Sequence, residues 1–348
     1  MKSKNLLMAI IGVLLVAALM AGCAAPAAPA ADSGNDEAAS EEAASEEAPA
    51  EEAAADEGEV PYIPVISKGF QHQFWQAVEQ GSQQAAEEFG VEITFEGPES
   101  EAQVDKQIEM LQAALAKNPS AICLAALDTK AAIPLLEEAQ AAGIPIVGFD
   151  SGVDRDIPVA TAATDNVAAA ALAADKMAEL IGGSGQVAVL VHDQTSRTGI
   201  DRRDGFLNQM EAEYPDIEIV NVDYGAGDHL KSTDLAKAVI QANPDLAGYF
   251  GANEGSIIGV NNAITELEKE GEIVSIGYDA SKAQMDAIRS GLQAGAITQS
   301  PIGIGYECVK AAYMAMNGEE VPEVIDTGFL WYDASNIDSD EIAPLLYE

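Results

Sequence analysis

The chain has 348 residues, with 17 Lys and Arg against 58 Asp and Glu, 3 His, 3 Cys and a net charge of −41. Bases this scarce exclude a basic nucleic-acid surface, and the few Cys and His lack the spacings of a zinc site or a disulfide-dense scaffold. Hydrophobic residues make up 48% of the chain, which excludes wholesale disorder, and the length allows two domains.

Lys2 and Lys4 open the chain, and residues 6–20 form an apolar run. That run is shorter than the roughly 20 residues a membrane span needs and reads as the core of an export signal. Leu19-Met20-Ala21-Gly22-Cys23 follows and resembles a bacterial lipobox, in which Cys23 becomes the lipidated N-terminus after cleavage. An ordinary secretory signal with an incidental cysteine is the alternative. Residues 24–59 hold 12 acids and no Lys or Arg, in a background of Ala, Pro and Ser. Such a segment buries too little apolar surface to offset its ordering entropy, and its charges repel. The expectation is a signal peptide over 1–23, a disordered acidic tether over 24–59, and a globular body outside the membrane. A helical Ala/Glu stalk is the alternative for the tether. The body, 60–348, keeps 46 acids and 15 bases, a net of −31 that disfavours anionic partners.

The body alternates strand and helix patterns. Residues 60–67 predict a strand, 73–90 a helix stopped by Gly90, and 91–95 a strand. Val104, Ile108, Leu111 and Leu115 recur at helical spacing. An apolar run at 121–125, a helix over 130–142 stopped by Gly143 and a strand over 144–149 complete one unit. The alternation restarts with strands over 186–191, 217–222, 246–250 and 273–278, separated by helices over 200–213, 231–241 and 257–269. Near-continuous apolar strands between amphipathic helices predict an α/β protein of two doubly wound parallel-sheet lobes.

An internal echo supports the duplication. Asn118-Pro119 precedes one strand, and the next ends in Gly148-Phe149-Asp150-Ser151; Asn243-Pro244 precedes another, and the next ends in Gly277-Tyr278-Asp279-Ala280. Each half thus places an Asp just past the carboxyl end of a strand, the edge where open α/β sheets bind ligands. Asp150 and Asp279 are candidates to accept hydrogen bonds from ligand hydroxyls; capping of the next turn and paired-carboxylate catalysis are the alternatives. No nucleophile elbow or phosphate loop accompanies them, and Gly182-Gly183-Ser184-Gly185 reads as a turn. Phe74 and Trp75, in Phe70-Gln71-His72-Gln73-Phe74-Trp75 at the mouth of the first sheet, suit stacking on a sugar's C–H face, or else helix packing. Arg202 and Arg203 offer donor forks for vicinal oxygens, or surface ion pairs with Asp201 or Asp204. Cys123 and Cys308 read as buried thiols, and His192 and His229 as loop residues too sparse for a metal site.

These segments together resemble the ribose- and galactose-type periplasmic sugar-binding proteins, the solute receptors of ABC importers. The resemblance runs from about Tyr62 to Ile337. It rests on His72–Trp75, Gly148-Phe149-Asp150-Ser151, Ala163-Thr164-Asp165-Asn166, Arg202…Gly205-Phe206, Phe250-Gly251-Ala252-Asn253-Glu254, Gly277-Tyr278-Asp279 and Thr298-Gln299-Ser300-Pro301. It implies the type I fold, two lobes joined by crossovers near Thr164-Asp165, Gln299-Ser300 and Asp326-Thr327. The N-lobe would comprise 60–164 plus the late helix 301–326, and the C-lobe 165–300 plus 327–348. It implies ring stacking by Phe74 and Trp75 and hydroxyl binding by Asp150, Arg202, Asn253, Asp279 and Gln299. His72, Ser151, Ala125 and Gly227 stand where the ribose receptors have Asn, Arg, Asn and a third aromatic, which argues against ribose itself. Lys68 and Thr94-Phe95-Glu96-Gly97-Pro98 resemble the rhamnose and autoinducer-2 receptor branch; Lys68 then reaches the ligand, or else lies on the surface.

The expected function is that of a monomeric extracytoplasmic lipoprotein, without cofactor or metal, binding a neutral monosaccharide or polyol for an ABC permease. A receptor for a furanone autoinducer or a sugar signal feeding a membrane sensor is the second reading. A sugar-active envelope enzyme is the third. A sugar-responsive repressor shares the fold, but an export signal stands where its DNA-binding headpiece would be.

Overall fold

The computed structural model describes residues 60–347, so the signal segment 1–23 with Cys23 and the tether 24–59 lie outside the described residues. In chain order the first part comprises β1 (Tyr62–Ile66), α1 (Gln73–Phe89), β2 (Glu92–Glu96), α2 (Val104–Leu115), β3 (Ile122–Leu124), α3 (Ile133–Ala141), β4 (Ile146–Phe149) and β5 (Ala160–Ala163). The second comprises α4 (Asn166–Ile181), β6 (Gly185–Val191), α5 (Arg197–Glu213), β7 (Ile217–Tyr224), α6 (His229–Ala242), β8 (Leu246–Gly251), α7 (Glu254–Glu266), β9 (Val274–Tyr278), α8 (Lys282–Ser290) and β10 (Gly295–Gln299). Then follow α9 (Pro301–Met316), β11 (Val324–Asp326) and β12 (Phe329–Tyr332).

The strands form two sheets, ordered β11-β5-β4-β3-β1-β2 and β12-β10-β9-β8-β6-β7. Every pairing is parallel except the antiparallel β10–β12 edge. The inner strands, such as β3, β4 and β10, are buried along their whole length, as strands covered by helices on both faces must be. The sequence reading of two parallel-sheet α/β lobes is therefore the observed architecture. The chain passes from the first sheet to the second after β5, returns after β10, and passes again between β11 and β12. Each sheet reverses its strand order beside its first strand, β1 and β6, which opens a crevice at the carboxyl ends.

Helix α9 follows a second-sheet strand yet covers the first sheet beside α1. Glycine makes the approach possible. A Cβ on Gly81 would lie 1.9 Å from Ile302 O, and one on Gly305 would lie 2.0 Å from Val78 O, so the two backbones touch.

Several boundaries differ from the sequence pattern for identifiable reasons. Helices α5, α6 and α7 begin two or three residues before the apolar periodicity, because Ser196, Asp228 and Asn253 accept hydrogen bonds from Gly199 N, Lys231 N and Ser256 N. His229, expected in a loop, is thereby the first residue of α6. Helix α3 begins three residues late, since Asp128 Oδ1 accepts from Lys130 N and Ala131 N and holds a turn there. The late helix ends at Met316, and 324–326 form a strand instead.

Candidate functional site

The carboxyl ends of the two sheets converge on one small cavity. Its lining is Lys68, His72, Phe74, Trp75, Glu101, Asp150, His192, Arg202, Asn253, Asp279 and Gln299. Lys68 follows β1, Asp150 follows β4, His192 follows β6, Asn253 follows β8, Asp279 follows β9, and Gln299 ends β10. His72, Phe74 and Trp75 stand at the start of α1, and Arg202 projects from α5.

Asp150 and Asp279 occupy equivalent places. Both have positive φ, 53° and 82°, a conformation disfavoured for residues other than glycine. Their backbone amides donate to Ala162 O at 2.9 Å and to Ile297 O at 2.7 Å, the next strand over in each sheet. Strain of this kind persists where the surroundings over-determine it, and it is frequent at binding sites.

The charges are matched inside the cavity. Lys68 Nζ lies 3.2 Å from Asp150 Oδ2 and donates to Thr198 Oγ1 at 2.8 Å. Burial works against the Lys68 charge, but Asp150, Glu101 and Asp193 outweigh it and raise its pKa. Arg202 donates from Nε to Asn166 Oδ1 at 2.8 Å and from Nη1 to Ala252 O at 3.0 Å, with its guanidinium 3.8 Å above the Tyr278 ring. Asp279 accepts from Gln299 Nε2 at 2.7 Å and from Glu254 N at 2.8 Å. Burial pushes the Asp279 carboxyl up, against the opposing pull of Arg202.

Three polar atoms of the lining have no partner within the protein, His72 Nδ1, Glu101 Oε2 and His192 Nδ1, and Asp150 Oδ2 has only the Lys68 ammonium. The network assigns the ring protons. The Thr198 hydroxyl accepts from Lys68, so its own proton is free for His192 Nε2, 3.1 Å away, leaving the His192 proton on Nδ1. His72 Nε2 accepts from Gln71 Nε2 at 2.9 Å, which again leaves the proton on Nδ1. The cavity therefore presents two free donors, one free carboxylate acceptor on Glu101, and a second on Asp150 shared with Lys68. Buried polar groups are rarely left unpaired, and a molecule bearing hydroxyls, each both donor and acceptor, satisfies both kinds.

Nearly all the sequence candidates meet here. Trp75 is both wall and core, since its Nε1 donates to Glu101 Oε1 at 2.9 Å and its ring meets Phe74 edge-on at 5.0 Å. Lys68 is buried rather than exposed. Arg203 stays at the surface, paired with Asp204. Ser151 does not line the cavity; its Oγ accepts from Arg197 N at 3.0 Å, at the start of α5. Asn253 Oδ1 is engaged in capping α7. Glu101 and His192 are lining residues that sequence reasoning did not select. His192 follows a strand end, the rule that found Asp150 and Asp279; Glu101 carries no comparable signal.

Burial holds the His192 imidazole well below the ordinary value of 6.5, although Asp193 pulls the other way. The unfolded chain then takes up a proton near that pH that the folded chain refuses. Its contribution to stability is thus complete above pH 6.5 and is lost as pH falls, by up to about 1.4 kcal/mol per pH unit. Thermal or urea melts between pH 7.5 and 4.5 should show a shallower acid slope for His192→Asn than for the unaltered protein; equal slopes would contradict a buried neutral ring.

A family model described as a periplasmic binding protein domain matches residues 63–320. The D-allose-binding periplasmic protein of Escherichia coli is 25% identical over 267 residues, covering 74% of this chain and 86% of that protein. The D-apiose import binding protein of Actinobacillus succinogenes is 25% identical over 230 residues, 66% of this chain and 73% of that protein. An ABC transporter solute-binding protein from Agrobacterium vitis, solved with α-D-tagatopyranose, superposes with a TM-score of 0.79 at 32% identity, covering 83% of this chain and 99% of that one. A second from the same organism, solved with D-fucose, gives 0.80 at 32% identity, covering 82% and 100%. Among the described residues no helix is long and apolar enough to cross a membrane. The chain belongs to the periplasmic binding protein family, within its sugar-binding solute receptors of ABC transporters.

Proposed function

We propose that this protein closes around one neutral monosaccharide, or a related polyol, and delivers it chemically unchanged to an ABC permease. The observation that carries this reading is the set of three unpartnered polar atoms, with Asp150 Oδ2 held only by Lys68, in a cavity walled by Phe74 and Trp75 and shut by both lobes. Asp150 and Glu101 would accept from ligand hydroxyls, and His72 and His192 would donate. Arg202, Asn253, Asp279 and Gln299 complete the polar lining, and Ser151 acts at one remove by holding the start of α5. The carboxylates argue for holding rather than hydrolysis: Asp150 is paired with Lys68, and Asp279 already accepts two hydrogen bonds. Relatives named for allose and apiose, and two solved with tagatose and fucose bound, support a pentose or hexose. No relative named above is an autoinducer receptor.

On this reading 60–164 plus 301–326, and 165–300 plus 327–348, move as two bodies about the three crossovers. Contacts across the mouth, such as Lys68 to Thr198 and Thr129 N to Thr195 O at 2.9 Å, then belong to the closed form. The protein works as a monomer, held at the membrane through a lipid on Cys23 at the end of the acidic tether. Mass spectrometry of the mature N-terminal peptide reads this directly: a diacylglyceryl cysteine is expected, and an unmodified or longer N-terminus would refute the anchor.

Calorimetry against pentoses, hexoses, deoxysugars and sugar acids tests the site. A neutral sugar should bind far more tightly than its sugar-acid counterpart, because both cations of the cavity are already engaged while three carboxylates face it. Hydrogen bonds to charged groups contribute about 1.5–3 kcal/mol, so Asp150→Asn and Asp279→Asn should each weaken the best sugar roughly tenfold or more. Unchanged affinity in both variants, with intact melting curves, would place the ligand elsewhere.

A further inference from the structure

Beside the cavity, three helix starts from both lobes bring together His72, His229 and Glu254. Each offers one ligand atom, and these atoms lie within 4.8 Å of one another. His72 comes from the first lobe, at the start of α1, while His229 and Glu254 are the first residues of α6 and α7 in the second. We propose that this trio is an interlobe site for a divalent transition metal of the zinc type.

The donor set fits. Two imidazoles and one carboxylate form a common three-ligand zinc set, leaving a fourth position for water. Zinc bonds of about 2.0–2.1 Å place tetrahedral ligands roughly 3.3 Å apart, so the trio must draw in by about an ångström or somewhat more. The half-buried His229 has room to do so, its ring stacked on His72 with centroids 5.7 Å apart. His72 is buried, only 3% exposed, and its Nδ1 has no partner within the protein. Ligation through Nδ1 would move the ring proton to Nε2, where Gln71, 2.9 Å away, would turn its amide oxygen to accept it. The second lobe is shaped to receive the ring: a Cβ on Gly255 would lie 2.8 Å from His72 Cε1, and one on Gly227 3.1 Å from His72 Nε2. The net charge of −41 favours cations throughout.

Because its ligands come from both lobes, the metal would bind the closed form and stabilise it without sugar. His72 lines the cavity, while His229 and Glu254 do not, so the two sites share one wall and remain separable by mutation.

The test is calorimetric titration of the full chain, freed of metal, with Zn²⁺ in excess Mg²⁺, which occupies the acidic tether and the surface carboxylates. One equivalent should bind and raise the melting temperature. His229→Ala and Glu254→Gln should each weaken zinc binding by about tenfold or more, and His229→Ala should leave sugar affinity unchanged. No stoichiometric uptake, or equal uptake and equal stabilisation in His229→Ala, would overturn the site. Neither result bears on whether a sugar occupies the cavity, which the Asp150 and Asp279 variants report separately.

Discussion

The interior of this protein depends on an unmet requirement: closing the two sheet edges on each other removes polar atoms from water without giving all of them partners. Two ring N–H groups and a Glu101 oxygen remain open around the cavity, and an Asp150 oxygen has only Lys68. An unpartnered buried donor or acceptor costs about 1–3 kcal/mol. The empty closed form therefore carries a penalty that a guest rich in hydroxyls removes. On the proposed reading, sugar binding and closure of the lobes are one event.

The wiring around the crossovers shows how contact reaches the joints. Thr164, at the first crossover, donates to Gln299 Oε1 at 2.9 Å; Gln299, at the second, donates to Asp279 Oδ1 at 2.7 Å. Asp279 in turn accepts from Glu254 N, and Glu254 Oε1 and Oε2 accept from Gln73 N and Phe74 N on the opposite lobe at 3.3 and 3.4 Å. One hydrogen-bonded path thus links the crossovers, the cavity wall and the start of α1. A ligand that engages Asp279 acts on a residue already tied to the segment about which the lobes would turn.

Much of the architecture was legible in the sequence, for physical reasons. Fully buried parallel strands must be apolar throughout, so β3 and β4 announced themselves. The equivalence of Asp150 and Asp279 was visible because each follows a strand of similar composition, and the structure adds that both share a positive φ and the same backbone bond to the next strand. What stayed hidden depends on long-range contact. Strands β11 and β12 are short pieces whose partners lie far away in sequence. The starts of α5 and α7 were read late because capping residues, not apolar periodicity, set them. Glu101 sits in a loop, and only its bond from Trp75 Nε1 brings it to the cavity. Ser151 neighbours a lining residue, yet its hydroxyl turns to the backbone of α5 instead.

Small-angle scattering on the full chain, with and without a saturating sugar whose binding calorimetry has verified, tests the central claim most directly. Reversible compaction on adding the sugar, with the sugar recovered unaltered, is the expected result. A scattering profile unchanged at saturation, or a sugar converted to another compound, would contradict a two-lobed receptor that shuts on its guest and releases it intact.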